Sequence, residues 1–322
     1  MLTRRSTLAL LGATAGAGWL GRPGAGHAQG GEPAREFRIG YQKSGGLVIA
    51  RRQEALEKRL AARGIKVSYI EFQAGPPLLE ALNLGAIDFG TTGDTPPIFA
   101  QAARANLVYV ATIPAPGAGS AILVKRDGPI RSLADLKGRT IGFTKGSSAH
   151  NFTVNAVKKA GLAWSDIKPA YLSPADAGAA FANGSIDAWT IWDPFYAIAE
   201  KTQDARVLTT AEGIVETNSF YLANGTYAKA NPGLVRDVLD ELTRVAAWAT
   251  EHPDEVARAL AEVTGVALEH QQRAAARTRY AVTPVTEDVV RSQQAIADEF
   301  ARLGLIPRTI NVREAVWTPP VT

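Results

Sequence analysis

The chain has 322 residues, 46% of them apolar and 20% charged, enough for an ample core in about two domains. It holds no cysteine and four scattered histidines, so disulfide scaffolds, thiol nucleophiles and Cys-ligated metals are excluded, and neither a metal nor a cofactor is expected. The formal charge of +4 resides at the start: outside residues 1–28, which carry Arg4, Arg5, Arg22 and no acid, 32 basic groups face 31 acidic ones, and nothing points to nucleic acid.

Arg4-Arg5 precede a mild apolar run from Leu8 to Leu20, which ends on the small residues Gly26-His27-Ala28. That is the order of an export signal, and the paired arginines resemble the twin-arginine type. A bilayer span needs about 20 apolar residues. The run of 13 is shorter, so cleavage near Ala28 and a soluble periplasmic chain are expected.

Strands are predicted over 37–41, 66–72, 87–90 and 107–113, alternating with helices over 48–63, 78–84 and 98–105. Ala50, Leu56 and Leu60 set the helical spacing; Val67 and Tyr69 alternate with Ile70 and Phe72; Gly85 is a natural helix stop. A Pro/Gly stretch over 114–119 reads as a crossover. Strands over 140–144, 169–172 and 188–191 then alternate with helices over 152–160, 176–182 and one after Pro194. A strand over 216–223 follows, and helices over 232–251, 253–264, 269–277 and 287–303 complete the chain. Such alternation implies parallel pairing with helices on both faces.

The two series repeat each other. Ile39-Gly40-Tyr41-Gln42-Lys43 returns as Ile141-Gly142-Phe143-Thr144-Lys145, and Gly85-Ala86-Ile87-Asp88 as Gly184-Ser185-Ile186-Asp187. Six residues after each aspartate stands another, Asp94 and Asp193. The reading is two α/β lobes: 36–115 with 219–322, and 116–218. The terminal helices pack back on lobe one, and two crossings form a hinge with a ligand cleft between the lobes.

Ligands of open α/β sheets lie beyond the carboxyl ends of the strands, at helix starts. Four stretches qualify: Gln42–Gly46, Thr92–Pro97, Lys145–Asn151 and Trp192–Pro194. Small residues and hydroxyls before a helix make an anion cradle from backbone N–H groups, serine hydroxyls and the helix dipole. Ser147 alone reads more simply as a helix cap, whereas Lys145–Asn151 together exceeds what capping needs. Asp94 and Asp193 each precede a proline-led helix start and read first as caps; a bare carboxylate would repel an anion but serve a cationic end. Trp192 is either core or the wall for an alkyl chain. His150 is either a packed, hydrogen-bonded residue or a donor to the ligand.

With these motifs, and with Phe72–Pro76, Glu80–Asn83, Thr92–Ala102 and Asp187–Pro194, the chain resembles the aliphatic sulfonate-binding proteins of ABC importers from about Phe37 to Pro319. The resemblance implies the two-lobed periplasmic-binding-protein fold of the second structural type. It implies capture of an alkanesulfonate for sulfur acquisition, delivery to a membrane permease, action as a monomer, and no catalysis. The family's contact loops map onto Gln42, Gly93, Asp94, Thr95, Ser147, Ser148, His150, Trp192 and Asp193, with Ser219 also at the cleft. The loop Ser44-Gly45-Gly46-Leu47 departs from the family pattern. Binders of taurine, nitrate or thiamine-precursor pyrimidines share the fold. A hydrolase using Ser147 or Ser148 with His150 would want Gly-x-Ser-x-Gly, and Gly146-Ser147-Ser148-Ala149 lacks its second glycine.

Overall fold

The computed structural model describes residues 35–319; the export signal expected over 1–28 lies outside them. The first strand, β1 (Glu36–Tyr41), buries Phe37, Ile39 and Tyr41 and becomes an interior strand. It pairs in parallel with β2 (Lys66–Glu71) on one side and β3 (Phe89–Gly93) on the other. Helices α1 (Gly46–Gln53) and α2 (Ala55–Ala61) lead to β2, and α3 (Gly75–Asn83) leads to β3. The single helix predicted over 48–63 is two, because Glu54 adopts a left-handed conformation at φ 54° and ends α1. Helix α4 (Thr95–Ala102) and strand β4 (Leu107–Ala115) follow.

The chain then crosses to a second sheet through β5 (Ser120–Lys125), β6 (Thr140–Phe143), α5 (Ser148–Lys159) and β7 (Lys168–Tyr171). It continues through α6 (Pro174–Ala182), β8 (Ala188–Trp192), α7 (Phe195–Thr202) and β9 (Ala205–Thr210). It returns as β10 (Thr217–Asn224), followed by α8 (Gly225–Ala230), α9 (Pro232–Glu251), α10 (Pro253–Thr264), α11 (Leu268–Ala276) and α12 (Glu287–Arg302).

Two five-stranded sheets result, in the orders β2-β1-β3-β10-β4 and β7-β6-β8-β5-β9. They are mixed, which corrects the expectation of parallel pairing: β10 runs antiparallel to β3 and β4, and β5 antiparallel to β8 and β9. The reversal arises because β5 and β10 arrive from the opposite sheet through short crossings and not through a helical crossover. Strands β5 and β9 and the short α8 were not foreseen. The buried run Ala121–Val124 carries no periodicity to mark it as a strand.

The internal repeat has a structural meaning. A Cβ on Gly40 would lie 2.4 Å from Ile87 Cδ1, and one on Gly142 would lie 2.4 Å from Ile186 Cδ1. Each glycine is a notch in an interior strand that receives the isoleucine of the matching Gly-x-Ile-Asp turn. The aspartate that follows ties down the start of the same strand. Asp88 Oδ2 accepts the Arg38 amide at 2.9 Å, and Asp187 Oδ2 accepts the Thr140 amide at 2.7 Å.

Of the terminal helices, α9 buries Leu234, Val238 and Leu242 in the core shared with α1 and α2, and α12 packs Val290 and Phe300 beside Ile98 of α4. Helix α11 departs from the expected docking on lobe one alone. It packs on α10 and also meets α7 of the second sheet, where Lys201 Nζ lies 3.5 Å from Glu269.

Candidate ligand site between the two sheets

The carboxyl ends of β1, β3, β6 and β8 border a cavity of about 210 Å³ between the sheets. Seven of the ten expected site residues line it: Gln42, Gly93, Ser147, Ser148, Trp192, Asp193 and Ser219. Asp94, Thr95 and His150 are buried nearby and are not part of the lining.

Two helix starts reach the cavity. At α1 the capping position is Gly45, held at φ 89°, where a side chain would be strained and none is present to accept from the helix amides. Gly46 leaves room for Tyr221, whose hydroxyl would stand 2.8 Å from a Cβ there. Tyr221 is 2% exposed and lines the cavity, and burial raises its phenol above the ordinary value. Gln42 is fixed by its side-chain amide, which donates to the Thr91 carbonyl at 3.1 Å.

At α5, Ser147 occupies the capping position, yet its hydroxyl turns back and donates to the Thr144 carbonyl at 2.7 Å. The first amides of α5 therefore lack a side-chain acceptor and stay available at the cavity. Ser148 points toward lobe one so closely that a Cβ on Gly93 would lie 1.9 Å from its Oγ.

Two of the three buried residues, Asp94 and His150, join the lobes. Asp94 does not cap α4: its Oδ1 accepts from Thr95 Oγ1 and its Oδ2 from Asn151 Nδ2 across the cleft, both at 2.8 Å. Burial pushes its carboxyl up, against donors on Thr95, Asn151 and Ser148. His150 is ringed by Phe143, Trp164 and Tyr171 of its own lobe and by Phe99 and Phe300 of the other. Its Nδ1 accepts the Gly146 amide at 3.2 Å, fixing the loop before α5. Burial, with Lys145 nearby, holds its pKa down at about 3, so the ring is neutral. His150 is thus packed among aromatic rings and bonded to the loop before α5, and no serine hydroxyl among the described residues bonds either ring nitrogen. A Ser–His nucleophile is not assembled.

The apolar part of the lining includes Trp192, set edge-on to Phe195 with ring centroids 6.3 Å apart, together with Phe152, Ile113 and Pro116. Asp193 does cap: its Oδ1 accepts the Ala197 amide at 3.0 Å in the first turn of α7. Burial pushes its carboxyl up to about 6, against the pull of Arg277. Arg277, at the end of α11, spreads its fork over two carboxylates. Nη1 stands 3.4 and 3.5 Å from the Asp193 oxygens, and Nη2 bonds Glu200 at 2.6 Å.

Sequence reasoning missed the segment Arg277–Ala281, Tyr221 and the lining role of Ser120. Arg277 gave no signal because it ends a helix and reaches Asp193, 84 residues earlier, through the folding back of α11. The cavity as a whole joins donors at two helix starts to apolar side chains, with Asp193, Arg277 and Arg279 also in its lining, an arrangement for holding a small anion with an apolar tail.

A family model described as NMT1/THI5 like matches residues 60–256. An Escherichia coli K12 protein named for binding aliphatic sulfonates is 42% identical over 291 residues, 88% of this chain and 89% of its own. Among solved structures, the alkanesulfonate-binding protein SsuA from Xanthomonas axonopodis pv. citri, bound to MOPS, is 42% identical with a TM-score of 0.83, covering 89% of this chain and 99% of its own. The periplasmic aliphatic sulphonate binding protein SsuA from Escherichia coli is 41% identical with a TM-score of 0.82, covering 90% and 94%.

Proposed function

Since the chain belongs to the NMT1/THI5-like family, and within it to the aliphatic sulfonate-binding proteins, we propose that it captures aliphatic sulfonates in the periplasm and hands them to an ABC importer for sulfur acquisition. The observation that carries this reading is the pairing of two uncapped helix starts with an apolar wall in one cavity. A sulfonate is ionised at every physiological pH, so its site needs donors and no proton exchange. The Gly45–Gly46 and Ser147–Ser148 turns supply those donors, with Gln42, Gly93 and Ser219 completing the polar side. Trp192 and Phe152 take the alkyl tail. Asp94, Thr95 and His150 act from behind, by holding the loops in register and the lobes together.

Binding follows closure. A ligand that touches Gly93 in lobe one and Ser148 in lobe two selects the arrangement in which both are within reach. Export belongs to the same reading: Arg4 and Arg5 direct the chain to twin-arginine passage and cleavage falls near Ala28.

Titration calorimetry tests the reading with ethanesulfonate, octanesulfonate, taurine, sulfate and nitrate. Alkanesulfonates should bind most tightly, and Trp192→Ala should weaken octanesulfonate more than ethanesulfonate because it removes wall and no donor. Tighter binding of nitrate or sulfate than of any alkanesulfonate would overturn it. Changing Arg4 and Arg5 to lysine should abolish periplasmic accumulation; undiminished accumulation would refute the twin-arginine route.

A further inference from the structure

A carboxylate is an unexpected wall for an anion site, and its surroundings explain how it is tolerated. Asp193 is 6% exposed and lines the cavity. Its two oxygens are served unequally. Oδ1 takes the Ala197 amide at 3.0 Å and Arg277 Nη1 at 3.4 Å, whereas Oδ2, among the described residues, has only Arg277 Nη1, at 3.5 Å. Oδ2 lies beside Gly119, where a Cβ would stand 3.5 Å away, and Gly119 is itself cavity lining. A nearly free carboxylate oxygen therefore borders the ligand space.

Arg277 covers this oxygen from the far lobe. Its guanidinium lies 3.9 Å from the centroid of the Tyr196 ring, and its second nitrogen is anchored on Glu200 at 2.6 Å. Arg273 Nη1 stands 3.7 Å from the same Glu200. Two arginines thus face two carboxylates, and the cluster is balanced. A cationic group on a ligand tail would meet a carboxylate already neutralised and a guanidinium beside it. An uncharged tail meets neither penalty.

We propose that Arg277 sets the ligand class of this site: by covering Asp193 it makes the cavity choose sulfonates with uncharged tails over sulfonates whose tail ends in a primary ammonium. This rests on the sulfonate-binding reading above and deepens it. Remove the guanidinium, and Asp193 becomes the acceptor for a tail ammonium. The carboxylate then also repels the sulfonate of a ligand that brings no compensating charge, so the preference reverses from both directions.

Propane-1-sulfonate and taurine are the probes, since a methyl and an ammonium of nearly equal size end otherwise identical chains. Their dissociation constants are measured by calorimetry on the mature protein and on Arg277→Met, Arg277→Lys, Asp193→Asn and the Arg277→Met/Asp193→Asn double variant. The wild type should favour propane-1-sulfonate. Arg277→Met should move the ratio of the two constants toward taurine by about tenfold to a hundredfold, the worth of a charge-assisted hydrogen bond. Arg277→Lys should keep the wild-type preference, and the double variant should lose the gain for taurine. Should Arg277→Met not fold, Arg277→Gln replaces it with the same expectation. An unchanged ratio in the methionine or glutamine variant overturns the inference, as does a taurine gain that survives Asp193→Asn. A wild type that binds neither sulfonate fails the parent reading instead.

Discussion

Gly93 offers the sharpest test of closure. It ends β3, and the neighbours a Cβ would meet there are atoms of Ser148 in the other lobe, Oγ at 1.9 Å and Cβ at 3.1 Å. An alanine fits the strand itself and obstructs the approach of the lobes. Turning Ser148 to another rotamer removes the worst overlap but leaves the tight 3.1 Å contact and withdraws the hydroxyl from its place. Overpacking of this kind costs about 1–3 kcal/mol. Gly93→Ala should therefore weaken alkanesulfonate binding by about fivefold to a hundredfold in calorimetry. Ligand-free stability in urea should be unchanged or raised by up to about 1 kcal/mol, since alanine restricts the unfolded chain. In a double-mutant cycle with Ser148→Ala, which deletes the clashing oxygen, the two effects should couple by at least about 1 kcal/mol. Wild-type affinity in Gly93→Ala, or strictly additive effects, would refute the reasoning.

Ser147→Ala, whose hydroxyl is committed to Thr144, should show mainly a loss of about 1 kcal/mol in stability, and Ser148→Ala, whose hydroxyl serves Asp94 across the cleft, should weaken sulfonate binding about fivefold by loosening the closed arrangement; calorimetry and urea melts separate them. His150 loses its proton at about 3 when folded against 6.5 unfolded, so its contribution to stability is complete above 6.5 and declines by about 1.4 kcal/mol per unit as pH falls from there. His150→Phe should abolish that decline in urea midpoints read against the wild type. Asp193 has the opposite sign: its pKa is raised from 3.8 to about 6, so stability falls as pH rises between those values, and Asp193→Asn should remove the fall. Asp88→Ala should destabilise by about 2 kcal/mol or more and Asp187→Ala by about 1, because Asp88 holds the Arg38 guanidinium as well as an amide while Asp187 reaches Arg139 only at 3.8 Å.

Legibility of the fold tracked how local the cause was. Helices α9 and α10 have the predicted bounds, since Pro232 and Pro253 open them and the left-handed Gly265 closes α10. The break between α1 and α2 was hidden, because the residue that turns left-handed is Glu54 and not the glycine that ordinarily announces such a turn. The repeat was visible and its cause was not: nothing in Gly40 or Ile87 alone says that one is the socket of the other. In the cavity, the turns after β1, β3, β6 and β8 were readable because a strand followed by small residues and a helix start is a local pattern. Arg277 and Tyr221 were not, for each comes to the cavity from a segment distant in sequence. His150 and Asp94 were found as residues but not placed, since burial between lobes depends on surfaces that only the folded chain brings together.

The return of the chain through β10 has a consequence for the order in which the molecule is made. The second sheet is drawn from one continuous stretch, β5 to β9, and is complete once Thr210 has been synthesised. The first sheet begins earlier and ends later, because β10 must enter between β3 and β4, and β4 has β10 as its neighbour in the sheet. Until Thr217–Asn224 emerges, β3 keeps an open edge and β4 has no strand beside it. A nascent chain paused between Thr210 and Thr217 would thus carry a finished second sheet and an unfinished first one, with its exposed edges open to pairing with other chains.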